Sequence, residues 1–172
     1  MRKDSVRSDP GFNSGLAPVI GRAPVLLILG SFPSRRSLEQ REYYAHPRNQ
    51  FWWILETLFG IGRDRPYRQR VDDLVRHRIA LWDVIGACCR AGSADHRITG
   101  PSLNPVQQLL TSCPTIRGIA CNGTTAARYV DKLGLPSRVR IIPLPSTSPA
   151  HTHFTLEEKT ERWAILKEIV TP

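Results

Sequence analysis

The chain has 172 residues, 41% of them hydrophobic, which is typical of one globular domain with a core of its own. Its 24 Lys and Arg against 15 Asp and Glu give a formal net charge of +9, which favours an anionic partner, nucleic acid ahead of a membrane. No apolar run approaches the ~18 residues that span a bilayer, and residues 1–15 lack the apolar core of a signal peptide, so we expect a cytoplasmic protein with no membrane partner.

The predicted elements begin after an N-terminal segment rich in Gly and Pro. Residues 1–22 are predicted to form a flexible basic arm, and residues 23–172 the folded domain. Four continuous apolar runs are typical of strands buried on both faces, at residues 25–29, 79–84, 116–121 and 139–144. Apolar residues at helical spacing predict helices between and after these runs, at residues 49–59, 67–78, about 104–110, 126–133 and from 155 onward. The alternation predicts a single α/β domain of three α/β/α layers around a central four-stranded parallel sheet.

Several helix ends carry local signals. Gly60 and Gly134 are expected to stop the helices that precede them. Thr155, followed three residues later by Glu158, predicts a capping box at the start of the last helix. The buried face of that helix is expected to hold Trp163, Leu166 and Ile169, and residues 90–101 are predicted to be a loop.

The four cysteines do not suggest a metal site. Cys88 and Cys89 are adjacent, Cys113 and Cys121 are isolated, and no CxxC spacing occurs. We therefore expect free thiols and no metal ion. Neither GxxxxGK[ST] nor GxGxxG occurs, so no nucleotide cofactor is predicted.

Two polar loops follow predicted strands, at residues 30–49 and 144–151. In an open α/β sheet, ligands bind outside the carboxyl ends of the strands, so both loops are candidate site segments. They contain small hydroxyl residues and a cation that can contact phosphate oxygens, namely Ser31, Ser34, Arg35, Ser146, Thr147 and Ser148. Ordinary Ser/Pro turns are the alternative interpretation of each loop taken alone.

Other residues near these loops offer chemistry of different kinds. Tyr44 can stack on a base, which is worth about 1–3 kcal/mol, and Asn49 can read a base edge or orient a water. Asp83, at the end of the second predicted strand, can act as an acid, a base or a base-edge ligand, or can cap a turn. No GxSxG elbow and no HxE…CxxC deaminase signature occurs, so nucleophilic and deaminase chemistry are not supported.

Three segments resemble motifs of the uracil-DNA glycosylase superfamily, and of its hypoxanthine-DNA (deoxyinosine) glycosylase family in particular. GSFPS at residues 30–34 and YYAHPRNQFW at 43–52 resemble the first motif region. LPSTSPA at 144–150 resembles the second motif of the deoxyinosine family. The resemblance covers about residues 24–168 and implies the uracil-DNA glycosylase fold. It also implies a bacterial source and activity at the nucleoid.

The resemblance implies a monofunctional glycosylase of base-excision repair that flips out a deaminated base, hypoxanthine first, and leaves an abasic site. It implies no metal or cofactor, DNA containing a deaminated base as partner, and a monomer. Asn49 then matches a catalytic asparagine and Tyr44 the aromatic that stacks on the flipped base. The pocket wall is assigned to Phe32, Asp83 and Asn122, and the contacts to phosphate and the wedge into the duplex to Ser31, Ser34, Arg35, Ser146, Thr147, Ser148 and His151.

Two departures from the family pattern leave alternatives open. Phe32 stands where many members carry an acidic or amide residue, and Leu144 stands where many carry His or Asn. Phe32 cannot orient a water, and Leu144 cannot donate to the leaving base. A glycosylase for uracil or another lesion therefore remains open, as does a non-catalytic protein that binds lesion DNA.

Overall fold

The computed structural model of the protein describes residues 12–171, which form seven strands, seven helices and two 3₁₀ turns. The strands are β1 (Phe12–Ser14), β2 (Leu26–Gly30), β3 (Ile79–Asp83), β4 (Ile85–Cys89), β5 (Thr99–Leu103), β6 (Gly118–Asn122) and β7 (Arg140–Leu144). The helices are α1 (Arg35–Gln40), α2 (Phe51–Phe59), α3 (Tyr67–Arg76), α4 (Val106–Ser112), α5 (Thr124–Asp131), α6 (Leu156–Trp163) and α7 (Lys167–Val170). The 3₁₀ turns are Asp95–Arg97 and Ala164–Leu166.

The four predicted strands form one parallel sheet in the order β3-β2-β6-β7. Every residue of β2, β3 and β6 is buried, because helices cover both faces of the sheet. Leu26 and Ile28 of β2 pack with α2 and α6 on one face, whereas Leu27 and Leu29 pack with α4 and α5 on the other. The predicted three-layer α/β/α fold is therefore confirmed.

Two of the three local signals at helix ends act as predicted, whereas α5 ends at Asp131, three residues before Gly134. α2 ends at Gly60, whose φ of 71° lies in the left-handed region that glycine adopts without strain. At the start of α6, Thr155 accepts a hydrogen bond from the Glu158 backbone while the Glu158 carboxylate accepts one from the Thr155 backbone. Trp163, Leu166 and Ile169 are buried, as their helical spacing predicted.

A second, antiparallel sheet was not predicted. It has the strand order β1-β4-β5 and is joined to the parallel sheet because β4 continues from β3 after Val84. The prediction of a loop over residues 90–101 is therefore wrong at its end, where β5 pairs with β4. All five residues of β5 are exposed, so the strand lacks the apolar pattern by which a strand is recognised.

The predicted flexible arm of residues 1–22 also needs correction where it is described. Phe12 pairs with Cys89, the Gly15 amide donates to the Gly86 carbonyl at 2.7 Å, and Val19 forms an antiparallel bridge with Leu81. Residues 12–22 therefore belong to the folded domain, because their backbone groups hydrogen-bond to strands despite the Gly and Pro content. Residues 1–11 of the predicted arm lie outside the described residues.

No helix within residues 12–171 is long and apolar enough to cross a membrane.

Candidate active site

The carboxyl ends of the parallel strands open onto a cleft of about 620 Å³. Its walls come from both predicted loops, at residues 30–49 and 144–151, together with residues 93–96 and 122–125. Carboxyl ends of parallel strands lie at one edge of a sheet, so segments far apart in sequence meet there. The structure thus brings most of the predicted site residues together in one concavity.

Tyr44 has one face of its ring already covered. Its backbone is left-handed, with φ of 56°, and its ring stacks on Phe51 with centroids 3.8 Å apart. The Tyr44 phenol is buried, and burial raises its pKa above the ordinary value, so the group stays neutral and protonated. A base that stacks on Tyr44 must therefore use the face opposite Phe51.

Asn49 lines the cleft just before α2. Its side-chain oxygen accepts a hydrogen bond from the Phe51 backbone at 2.9 Å, and its own backbone donates to the His46 carbonyl at 2.8 Å. The first bond identifies which end of the amide is the oxygen and fixes the side chain at the start of the helix. The amide nitrogen of Asn49 is left as the group that can donate to a ligand.

Asn122 and Thr147 hold each other rather than a ligand. The Asn122 oxygen accepts from the Thr147 backbone, and its nitrogen donates to the Thr147 hydroxyl, both at 2.9 Å. Thr147 is completely buried, so its hydroxyl cannot reach a phosphate as the sequence suggested. The pair instead fastens the loop after β7 to the end of β6. One amide hydrogen of Asn122 remains for a contact in the pocket.

A buried lysine joins the same loop to the start of α2. Lys159 is 1% exposed, and its ammonium donates to the Gln50 side-chain oxygen at 2.7 Å and to the His151 carbonyl at 2.8 Å. The Gln50 backbone donates in turn to the Thr147 carbonyl at 3.0 Å. Sequence reasoning missed Lys159, although it precedes the buried Trp163 by four residues and so shares the buried face of α6.

The remaining second-loop residues form the rim. Ser146 accepts from the Ser148 backbone at 3.2 Å, and Ser148 accepts from the Ala150 backbone at 3.3 Å, so both hydroxyls shape the turn. The Nε2 atom of His151 is buried and has no hydrogen-bond partner among the described residues. Burial, followed by the nearby charge of Lys159, lowers the pKa of His151, which favours a neutral ring.

The first-loop residues differ in how far they can reach a ligand. Ser31 and Ser34 are half-buried, and Ser34 caps α1 by accepting from the Ser37 backbone at 3.1 Å. Arg35 is exposed, but its side chain pairs with Glu39 at 2.9 Å. α1 itself lies inside the segment that was predicted to be loop.

Phe32 is buried beneath a cation that the sequence analysis missed. The ring is 6% exposed, and the Arg90 guanidinium lies 4.8 Å from its centroid and donates to the Pro33 carbonyl. Phe32 lines the cleft, which agrees with its assignment to the pocket wall, and its side chain has no polar atom to bind water. Arg90 carried no motif or apolar spacing by which it could have been recognised.

Asp83 is the buried carboxyl group of the cleft. It pairs in register with Gly30 across β2 and β3 and is 4% exposed. A Cβ at position 30 would overlap the Asp83 Oδ1 atom and lie 3.2 Å from the Tyr44 hydroxyl, so only glycine fits there. Burial, together with the charge of Asp95, raises the pKa of Asp83 to about 7, and Arg90 opposes that rise.

Comparisons with known proteins match most of this chain. Residues 18–169 match the uracil DNA glycosylase superfamily. The chain is 33% identical over 155 residues to the hypoxanthine DNA glycosylase of Methanosarcina acetivorans, covering 89% of this chain and 97% of the relative. It is 32% identical over 154 residues to the Methanosarcina barkeri protein of the same name, covering 87% of this chain and 94% of that protein.

A solved structure shares the fold. The solution NMR structure of a candidate uracil DNA glycosylase from Methanosarcina acetivorans superposes with a TM-score of 0.81 at 31% identity. The match covers 92% of this chain and 99% of that one. The resemblance found in the motifs therefore extends over nearly the whole described fold, and the chain belongs to the uracil DNA glycosylase superfamily, a class of enzymes that hydrolyse N-glycosyl bonds in DNA.

Proposed function

We propose that this protein is a monofunctional DNA glycosylase of base-excision repair that removes hypoxanthine from DNA and leaves an abasic site. The observation that carries the proposal is the convergence of Tyr44 and Asn49 with the Ser146–Ser148 turn around one cleft. An extruded nucleotide requires a concavity that admits its base, and the cleft of about 620 Å³ has room for one.

The pocket suits a flipped base. Extrusion from the duplex costs a few kcal/mol, least at a mispair, and stacking on an aromatic ring recovers part of that cost. The face of the Tyr44 ring opposite Phe51 is the one on which we propose that the base stacks. Asn49 keeps its amide nitrogen for the substrate, so it donates a hydrogen bond to an acceptor on the departing base. That donation stabilises the negative charge that develops on the base as the glycosidic bond breaks.

Hypoxanthine is the proposed first substrate because two relatives at about one-third identity carry that name. Uracil is the second candidate, since a protein of the same fold at 31% identity is named for uracil. The absence of a polar side chain on Phe32 argues against uracil, because the water-orienting group found at that position in many superfamily members is missing.

The DNA backbone is proposed to lie along the cleft rim. Ser31 and Ser34 line one side, with Arg35 next along the chain at the start of α1, and Ser146, Ser148 and His151 line the other. The protein acts on DNA as a monomer in this proposal, with no cofactor.

The testing experiment measures base release from labelled duplexes that contain inosine, uracil, xanthine or a thymine mispair, with alkali cleavage as the readout and undamaged duplex as the control. We expect cleavage at inosine above all other lesions. Cleavage mainly at uracil would identify uracil, and not hypoxanthine, as the substrate. Binding of lesion DNA without release of any base would overturn the enzymatic proposal.

A further inference from the structure

The resemblance to the superfamily leaves the attacking water without a residue to orient it, because Phe32 occupies the position where an acidic or amide group is common. A carboxyl group nevertheless lies at the start of the same loop, on the neighbouring strand. Gly30, at the start of the first loop, lies opposite Asp83 in the register of β2 and β3. The Asp83 Oδ1 atom occupies the space that a Cβ on Gly30 would need, two residues before Phe32.

We propose that Asp83 is a catalytic residue of the glycosylase reaction, whose carboxylate takes the proton of the attacking water; this proposal rests on the proposed function. Asp83 lines the cleft, and its Oδ2 atom is buried and has no hydrogen-bond partner among the described residues. A buried carboxylate oxygen without a partner is costly, and a bound water or substrate group satisfies it.

The reaction balances without any further reactant. The bond from the sugar C1′ to the base nitrogen breaks, and its electron pair leaves with the base. The water oxygen bonds to C1′ while one of its protons passes to the Asp83 carboxylate. The departing base takes a proton from solvent, and Asp83 releases to solvent the proton that it accepted, which leaves an abasic sugar and a neutral free base.

The surroundings of Asp83 suit this role. The ionisable groups that face it are the phenols of Tyr43, Tyr44 and Tyr67, the Arg90 guanidinium and the Asp95 carboxylate. The three phenols have pKa values raised by burial, so they stay neutral and do not compete as bases. A general base is most effective when its pKa lies near the working pH, and the pKa of Asp83 is raised to about 7.

The experiment compares wild-type protein with Asp83→Asn in single-turnover base release from inosine duplex between pH 5.5 and 9. The wild-type rate should rise with pH and level off above about 7, because only the ionised carboxylate accepts a proton. Asp83→Asn should lower the plateau by at least ~10²-fold and remove the rise, since general bases contribute about 10²–10⁴-fold. Its affinity for the duplex should stay within about two-fold.

The matched control is Asp131→Asn, which makes the same chemical change at an exposed carboxylate of α5. His46, His96 and His151 also line the cleft, so the rise is assigned to Asp83 only if Asp83→Asn removes it. The proposal is overturned if Asp83→Asn keeps the wild-type plateau, or if the wild-type rate is flat or falls between pH 5.5 and 8.5. A wild-type protein that releases no base from any duplex would instead overturn the proposed function.

A folding control accompanies the kinetics. Because the pKa of Asp83 is higher in the folded protein than in the unfolded chain, the wild type should lose stability as pH rises from about 4 to about 7. Asp83→Asn carries no ionisable group there, so at pH 8 it should unfold at a temperature no lower than the wild type. Activity lost from a variant of full stability separates a chemical role from a structural one.

Discussion

Asn49 carries a structural bond and a free donor on the same side chain. Its oxygen accepts from the Phe51 backbone and orders the start of α2, while its nitrogen remains for the substrate. Truncation of Asn49 to Ala therefore removes both the structural bond and the donor. Asn49→Asp keeps the structural bond and removes the donor, because Asp is also a good acceptor at this kind of turn.

Asn49→Ala should lower single-turnover release of hypoxanthine by at least ~10²-fold, the scale of one lost transition-state donor. Asn49→Asp should lose a similar factor, because a carboxylate accepts from Phe51 but cannot donate to the base. Thermal unfolding should place Asn49→Asp closer to the wild type than Asn49→Ala. Cleavage at the wild-type rate by Asn49→Ala would show that another residue is responsible, and full activity of Asn49→Asp would exclude the donor role.

At the scale of elements, polar side chains and backbone groups hold the loop after β7 to three other elements around the cleft. The loop after β7 is held to β6 by Asn122, to the start of α2 by Gln50, and to α6 by Lys159. Burial lowers the pKa of the Lys159 ammonium, and its two oxygen partners are uncharged. The lysine is retained at an energetic cost, which is consistent with a role in positioning the loop rather than in stability.

Lys159→Met should preserve the apolar contacts of the lysine stem while it removes both hydrogen bonds. We expect base release to fall about ten-fold and duplex affinity to weaken, because the loop after β7 loses the hydrogen bond from Lys159 to the His151 carbonyl. The unfolding temperature should fall little or rise, since a desolvated charge is removed as well. Lys167→Met, at an exposed position of α7, is the control for loss of one positive charge. Equal activity of both variants would exclude the positioning role.

At the scale of the whole molecule, charge distribution bears on how DNA is held. The formal net charge of +9 favours association with a polyanion irrespective of sequence. Arg36 is exposed and lines the cleft, so it is suited to contact a phosphate next to the flipped nucleotide. Arg22 is also exposed but lies ahead of the amino end of β2, away from the cleft.

The affinity for duplex DNA should therefore fall as salt rises, with a linear plot of log K against log salt concentration. Arg36→Ala should weaken binding to lesion and undamaged duplexes alike and reduce the magnitude of the slope by about one. Arg22→Ala should leave slope and affinity close to wild type. Fluorescence anisotropy at four salt concentrations makes the comparison, and an unchanged slope for Arg36→Ala would exclude the phosphate contact.

The sequence by itself determined the parallel sheet, the end of α2, the capping box of α6 and the two loops that line the candidate cleft. Strands such as β2 are recognisable because burial on both faces requires a continuous apolar run, and the cap at Thr155 involves residues only three apart. Both site loops were identified because the carboxyl ends of parallel strands share one edge. The motif segments at 30–52 and 144–150 indicated the superfamily, which the comparisons confirm.

Only the tertiary structure decided the environment of each site residue. Lys159 and Gln50 are 109 residues apart, and Asn122 and Thr147 are 25 apart, so no local pattern indicates that these groups meet. The exposed strand β5 and the pairing of β1 likewise depend on backbone hydrogen bonds to β4, which side-chain pattern does not encode. The raised pKa of Asp83 follows from desolvation, and desolvation is a property of how the chain packs around a group rather than of the residue itself.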